Sequence, residues 1–352
     1  MRKFIAPPLF ALLFALPVYA DAIVASWNIE HLGWDNGKDL TAVAEVGSRF
    51  DLIALQEVMS EEGAADLVAA LEARTGARWD SLFSHAVGRG SYKEFYAFLY
   101  RTDTITWIDG AVIYLDDRDV FAREPFSARF ETADGFQFVM TSVHSIYAKS
   151  VAEREAEAVA LRSYLDWLNE TFEGSPVFLA GDFNLPPTNP AWDPVGQIAA
   201  PLITQGATTI STKDGRFANL YDNIWAPRGM ELPIHAAGSL EFPHQILGIT
   251  HEEARDQVSD HIPVWMWLSP AAEPVLYPAS EIDRGQFDQS SYLSSASGTQ
   301  DEALPPVIGN RNSKIYHLPH CPGYSKTSAK ICAGFPDEAQ AAAGGFRKAR
   351  NR

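Results

Sequence analysis

Polar residues of one kind stand at the ends of apolar runs throughout the first 270 positions. "IVASWN" ends on Asn28, "DLIALQE" on Glu57, "VMTSVH" on His144, and "VFLAGDFN" on Asp182 and Asn184. Asp222 sits in "LYDNIW", and Asp260 and His261 open "IPVWMWL". A single Asp or Asn after a strand is most often a turn former that bonds its own backbone. Six such coincidences together predict one sheet rim that gathers an amide, carboxylates and imidazoles into a pocket. Oxygen donors with no cysteine among them suit a hard cation such as Mg²⁺, with Mn²⁺ as a substitute. Two imidazoles beside carboxylates suit acid–base work, because a carboxylate fixes a ring's tautomer and raises its basicity. The combination favours phosphodiester hydrolysis: a metal polarises a phosphoryl oxygen, one imidazole activates water, and the other protonates the leaving oxygen. Period-two alternation puts Asp182 and Asn184 on one side of the strand tip, toward the phosphate.

The elements that must position these residues are also legible. Short runs rich in Val, Ile, Phe and Trp, among them "FYAFLYR", "ITWIDGAVIYL", "FQFVMTSVHSI" and "PVFLAG", read as strands. They alternate with "TAVAEVGSRF" and "VAEREAEAVALRSYLDWLNETF", whose apolar spacing fits a helix. Sheets covered by helices follow, an α/β (α+β) fold, with a hairpin at Ala133-Asp134-Gly135 adding antiparallel pairing.

The chain has 352 residues, 46% apolar and 12% aromatic, enough for a sizeable core and an appendage. Arg2 and Lys3 precede an apolar run from Phe4 to Val18 that closes on "VYA", which reads as a secretion signal over residues 1–20, cut near Ala20. The run is shorter than the ~20 residues a bilayer span requires, and Pro7, Pro8 and Pro17 disfavour a buried helix. The expectation is a secreted monomer, in the periplasm or the medium, with no stable membrane association. Losing Arg2 and Lys3 from 28 basic residues against 45 acidic ones takes the formal net charge from −17 to −19. Such a surface argues against charge-driven grip on nucleic acid. It leaves room for a nuclease that meets the backbone through divalent cations in one cleft. Residues 21–268 form the expected catalytic domain, 269–306 a Pro-, Ser- and Ala-rich linker, and 307–352 a small second module.

In order along residues 23–268, "SWNIEHLG", "DLIALQEV", "GRGSYKEFYAFLYR", "REPF", "TSVHS", "GDFN", "YDNI" and "SDHIPV" resemble the successive motifs of the endonuclease/exonuclease/phosphatase superfamily. "GRGSYKEFYAFLYR" points to its deoxyribonuclease I branch. The resemblance implies a two-sheet β-sandwich flanked by helices. It implies a divalent metal on Asn28, Glu57 and Asp260, with Glu94 orienting His144 and Asp222 orienting His261. His261 then resembles the general base and His144 the general acid toward the departing 3′ oxygen, roles the two can exchange. Asp182 and Asn184 would bind the scissile phosphate and nucleophile, and the products would carry 5′-phosphates. Tyr92 and Arg123 match groove-facing positions, for a sugar and a phosphate. Met59 and Asn223 stand where the vertebrate enzymes carry arginine, which weakens the same duplex grip and leaves RNA and single strands open beside DNA. "LDDRDVFARE" resembles a calcium loop, with Asp116, Asp117, Asp119 and Glu124 as donors for a structural Ca²⁺; an exposed acidic turn explains it equally. The same superfamily holds sphingomyelinases and inositol-phosphate phosphatases. A binding protein that has lost catalysis is disfavoured by the presence of every expected catalytic residue.

Around residues 307–350, "GNRNSKIYHLPHC" resembles an Ada-like module found beside secreted bacterial nucleases. His317, His320, Cys321 and Cys332 could hold zinc. In an exported protein a Cys321–Cys332 disulfide that staples a small module is the favoured reading. Its basic residues, with Tyr316 and Tyr324 interleaved, suit a nucleic-acid tether.

Overall fold

The computed structural model describes residues 21–147 and 150–277, together with the backbone of four short strands within 307–348. One mixed sheet runs in the order β12 (Ile234–Ser239), β13 (Val264–Leu268), β1 (Ala22–Leu32), β2 (Leu52–Val58), β4 (Phe95–Arg101) and β3 (Trp79–Phe83). The other runs β5 (Ile105–Ile113), β6 (Phe126–Thr132), β7 (Gln137–His144), β8 (Val177–Asp182), β10 (Asp222–Pro227) and β9 (Ala199–Pro201). Parallel neighbours need a crossover, and α1 (Leu40–Gly47) joins β1 to β2 while α3 (Val151–Thr171) joins β7 to β8. The predicted hairpin is present, with Gly135 at φ +92° between β6 and β7.

Strands with both faces buried explain the unbroken apolar runs. On β8, Phe178 and Ala180 enter the core between the sheets, and Val177 and Leu179 face the other way. There they meet Ala158, Leu161, Leu165 and Leu168, one stripe of α3 at helical spacing. On β2, Leu52 and Ala54 join the inter-sheet core, while Ile53 and Leu55 pack under α1, α2 (Glu61–Thr75) and α5 (His251–Gln257). The result is a four-layer sandwich, as the resemblance implied. A short α4 (Asp193–Gly196) leads into β9.

Two local features aim the strand ends. Gly181 lets β8 approach β7 closely, since a Cβ there would lie 2.0 Å from the Val143 carbonyl oxygen; the next pair in register is His144 with Asp182. Register shifts interrupt β1 between Asn28 and Leu32 and β2 between Leu55 and Val58, so both strands bulge at one level. Beneath this rim, the buried Gln56 Nε2 donates to Ser26 Oγ at 3.2 Å and Ser142 Oγ at 2.8 Å, tying the two sheets together.

Ordered contacts continue past residue 268. Val275 and Leu276 form β14, which pairs with β11 (Glu231–Leu232), and the Tyr277 carbonyl accepts from Gly229 N. Tyr277 packs against the inter-sheet core, part-buried. By itself, the C-terminal segment forms a four-stranded sheet ordered β17 (Cys332–Phe335), β15 (Val307–Asn310), β16 (Ile315–His317) and β18 (Arg347–Lys348). His320 and Cys321 lie outside the described residues, and so do the zinc and disulfide expectations that need them.

Candidate active site

Two imidazole–carboxylate pairs converge on one oxygen. His144 Nδ1 lies 2.8 Å from Glu94 Oε1, and His261 Nδ1 lies 2.8 Å from Asp222 Oδ2. Carboxylates accept, so each ring carries its proton on Nδ1 and turns Nε2 the other way. Both Nε2 atoms are 3.7 Å from Asp182 Oδ2. Asn28 Nδ2 donates to that same oxygen at 3.1 Å and to Glu57 Oε1 at 3.0 Å. Asn28, Glu57, His144, Asp182, Asn184, Asp260 and His261 therefore line one cleft of about 410 Å³, with Glu94 and Asp222 behind the rings.

Each group is held from behind. Asp182 Oδ1 accepts from Asn184 N at 3.0 Å, a turn-forming contact that leaves Oδ2 for the cleft. The strand ends at Asp182, and Asn184 reaches the cleft from a left-handed turn at φ +50°, not by the period-two pleat the sequence predicts. Its Nδ2 donates to the Ser145 carbonyl, and Arg154 from α3 donates to its own carbonyl at 2.9 Å. Buried Glu157, also on α3, accepts from Ala122 N and Ile146 N, pinning the segments on either side of His144. Ser259 Oγ donates to the Asn28 carbonyl and accepts from His261 N, which ties the Asp260–His261 turn to β1.

The oxygen-donor set fits a hard divalent cation. Glu57 Oε2 is buried and has no hydrogen-bond partner, although His31 Nε2 stands 3.2 Å away out of line. Glu57 itself sits at φ +58°, a conformation that costs a non-glycine residue about 1–3 kcal/mol and persists where function requires it. Among the described residues, four of the six non-glycine positions with positive φ, Glu30, His31, Glu57 and Asn184, line this cleft.

The electrostatics follow from crowding. Burial pulls the His144 and His261 pKa values down, but the carboxylates override it: Glu94 leaves His144 raised, and Asp222 with Asp182 leaves His261 well above the ordinary imidazole value. Burial raises Asp182, yet His261 and His144 reverse that and hold it below the usual carboxylate range. Asp222 goes up, by burial and by repulsion from Asp182. Within this triad one ring faces two carboxylates, which favours the charged imidazole. Of the groups raising His261, Asp260 is the one whose charge a cation on Asn28, Glu57 and Asp260 would offset directly.

Sequence reasoning missed Glu30 and His31, which the β1 bulge turns into the cleft. Glu30 Oε2 accepts from Asp260 N at 2.9 Å, and burial with the Asp260 charge pushes its pKa to about 7. The folded protein thus holds this proton more tightly than the unfolded chain. The associated stability is complete below pH 4.5 and is lost as pH rises to about 7. Glu30→Gln keeps an acceptor without the charge. In chelator-treated protein it is expected to raise the melting temperature by roughly 2–4 °C at pH 8, for about 1 kcal/mol after allowing for solvent screening, and to change nothing at pH 4. Equal shifts at both pH values would remove Glu30 from this role.

Arg123 departs from its expected place on a phosphate. Its side chain turns inward, with Nε 2.9 Å from Glu94 Oε2 and Nη1 donating to the His144 carbonyl at 3.2 Å, so it braces the Glu94–His144 pair. Tyr92 stays at the rim, with the Arg123 guanidinium 5.6 Å from its ring centre. Asn223 is a buried stitch, exchanging hydrogen bonds with the Ile203 backbone. In the acidic turn, Asp116 accepts from Arg118 N and Phe121 N, and Asp119 pairs with Arg89. The Asp116 contacts are turn-forming, and the Asp119 pair ties the turn to a distant loop. Asp117 lines a cavity of about 240 Å³ beside them, and Glu124 is not among its lining residues.

Comparison with known proteins agrees with this geometry. The sequence profile described as Endonuclease/Exonuclease/phosphatase family matches residues 25–261. A second profile, ArfC, matches residues 284–348, so the expected Ada-like module finds no support there, and the match begins inside the stretch read as a linker. A deoxyribonuclease of Thioalkalivibrio sp. is 44% identical over 310 residues, 85% of this chain and 84% of that one. Deoxyribonuclease-1-like 1 of Sus scrofa is 30% identical over 250 residues, 67% of this chain and 76% of its own. Among solved structures, a mannosyl-6-phosphatase of Bacteroides thetaiotaomicron superposes with a TM-score of 0.52 at 17% identity, over 72% of this chain and 100% of that one, a likeness of fold alone. With the motif order, the two-sheet sandwich and this profile in agreement, the chain belongs to the endonuclease/exonuclease/phosphatase family.

Proposed function

We propose that this protein is a divalent-metal-dependent endonuclease that hydrolyses DNA with little sequence preference and leaves 5′-phosphates. The observation that carries the reading is the placement of two carboxylate-backed imidazoles at equal distance from Asp182 Oδ2. Asn28, Glu57 and Asp260 would hold the cation, which supplies Lewis acidity toward a phosphoryl oxygen. His261, kept in one tautomer by Asp222, takes the proton from the attacking water. Asp182 orients that water and stabilises the imidazolium as it forms. His144, whose raised pKa suits a donor, delivers a proton to the departing 3′ oxygen while Glu94 and Arg123 hold its ring. Names of relatives support DNA as substrate, and the apolar run Phe4–Val18 behind Arg2 and Lys3 supports export, which fractionation of the expressing cell tests.

Aromatic surface beside the cleft supports a nucleic-acid substrate. Trp34, 50% exposed, stacks on His31 at 4.3 Å and meets the edge of Tyr92 at 6.3 Å. A base or sugar laid on this shelf gains about 1–3 kcal/mol per stacked ring. Trp34→Ala is therefore expected to raise KM for DNA by about 5- to 150-fold at unchanged kcat. An unchanged KM on oligonucleotides removes the shelf from the substrate path. The class of substrate is tested by incubating plasmid DNA, RNA and sphingomyelin with Mg²⁺, with and without chelator. Nicking of the plasmid that chelator abolishes is the expected result; turnover of sphingomyelin alone overturns the reading.

A further inference from the structure

Away from the catalytic cleft, three ligating side chains from separate segments meet. Asp214 lies in the turn after Ser211, His244 in the one-turn π-type helix Pro243–Leu247, and His251 opens α5. One ligand atom from each lies within 4.8 Å of the others. His244 Nε2 is 3.1 Å from Asp214 Oδ1, and the two imidazoles stack with centres 5.0 Å apart. Asp214 and His244 are half-exposed, whereas His251 is fully buried. His251 Nδ1 stands 3.2 Å from the Arg216 carbonyl oxygen, which can only accept, so the ring proton is on Nδ1. Nε2 is left with a lone pair, buried and without a hydrogen-bond partner. Such atoms are rare in folded proteins and call for a partner. Phe217 covers the ring at 4.8 Å between centres.

We propose that Asp214, His244 and His251 form a second metal site, for a borderline cation of the Zn²⁺ type, with water completing the coordination. Two imidazoles and a carboxylate are a zinc donor set, unlike the oxygen-rich catalytic set that suits Mg²⁺. An imidazole whose other nitrogen donates to a backbone carbonyl is oriented as metal-bound histidines commonly are. With Nδ1 engaged, Nε2 is the atom His251 has to offer. The site also has a reason to matter. Its ligands join the 211–217 loop to α5, and Thr209, Ile210, Ser211 and Thr212 at the start of that loop line the catalytic cleft. On α5, Arg255 donates to the Ile210 carbonyl at 2.7 Å and stands 3.5 Å from Asp260 Oδ2. A cation here clamps one wall of the cleft to the helix that braces it.

The test uses metal-stripped full-length protein in excess Mg²⁺, titrated with Zn²⁺ against a chromophoric chelator, with thermal unfolding in parallel. Wild type is expected to bind one more Zn²⁺ per chain than either His244→Gln or Asp214→Asn, and to gain a Zn²⁺-dependent rise in melting temperature that both variants lack. Both substitutions are at exposed positions, and zinc held at the catalytic rim or by the C-terminal cysteines is common to all three proteins and cancels in the difference. Equal stoichiometry and equal thermal shifts in wild type and both variants overturn the proposal. Neither readout depends on nuclease activity, so failure here is separable from failure of the proposed function.

Discussion

Replacing His261 by alanine is expected to lower kcat on plasmid DNA by about 10²- to 10⁴-fold, with KM little changed. In the proposed mechanism the ring meets the attacking water and not the bases, so its loss would remove stabilisation that exists only in the transition state. Buried among Asp222 and Asp182, it has no neighbour able to replace it, because the other imidazole is committed to Glu94 on the far side of Asp182 Oδ2. Asp222 reaches the reaction only through His261 Nδ1, at 2.8 Å. Asp222→Asn should therefore cost less than His261→Ala, and the double variant should be no slower than His261→Ala alone. If the two losses multiply in the double variant, Asp222 acts independently and the dyad reading fails. Losing His261 removes the positive ring that lowers the Asp222 pKa, while burial and Asp182 still raise it, so the carboxyl can take up a proton in place of standing as a stranded buried charge, and the variant should still fold. Far-ultraviolet circular dichroism and the melting temperature check that point.

How much of this was legible beforehand depended on how local the signal was. Asn28, Glu57, His144, Asp182, Asp222 and His261 each follow or begin an apolar run, and a sheet that buries both faces must deliver its strand tips to one rim. Glu30 and His31 escaped because a bulge and two left-handed residues redirect them, and bulges leave no period to read. Asn184 was placed in the right cleft for the wrong geometric reason, a pleat in place of an Asx-type turn. Arg123 was named from its motif as a phosphate ligand, but which way a guanidinium turns depends on a buried carboxylate 29 positions earlier, Glu94. The Asp214–His244–His251 cluster has no sequence spacing to betray it, since its members belong to segments that only the tertiary fold brings together. Beyond residue 268, Val275 and Leu276 pair with β11 inside a stretch whose Pro-rich composition reads as a linker, because backbone pairing leaves no mark in composition.

Removing divalent metal is expected to take nuclease activity to background, and Glu57 is the residue through which that dependence should be most visible. Glu30, Glu57, Glu94, Asp182, Asp222 and Asp260 crowd one end of the sandwich, and the cations facing them are already matched to particular partners: Arg123 to Glu94, Arg255 to Asp260, and each imidazole to its own carboxylate. Glu57 keeps a buried oxygen that makes no hydrogen bond, with His31 Nε2 at 3.2 Å, on a backbone held at φ +58°. A cation that binds the folded state alone stabilises it by about 2.7 kcal/mol at one hundred times its dissociation constant, which for a domain of this size is a rise of roughly 5–10 °C in melting temperature. Glu57→Gln keeps the volume and loses the anion. Metal affinity should fall by at least the roughly 10- to 100-fold seen when even a residue behind a ligand is lost, and the Mg²⁺-dependent thermal shift should largely disappear at the concentration that saturates wild type. Excess Mg²⁺ should recover part of the activity, which separates a weakened site from a dead one. Should Glu57→Gln keep the full wild-type shift, the cation binds elsewhere, and the strained backbone at Glu57 needs another explanation.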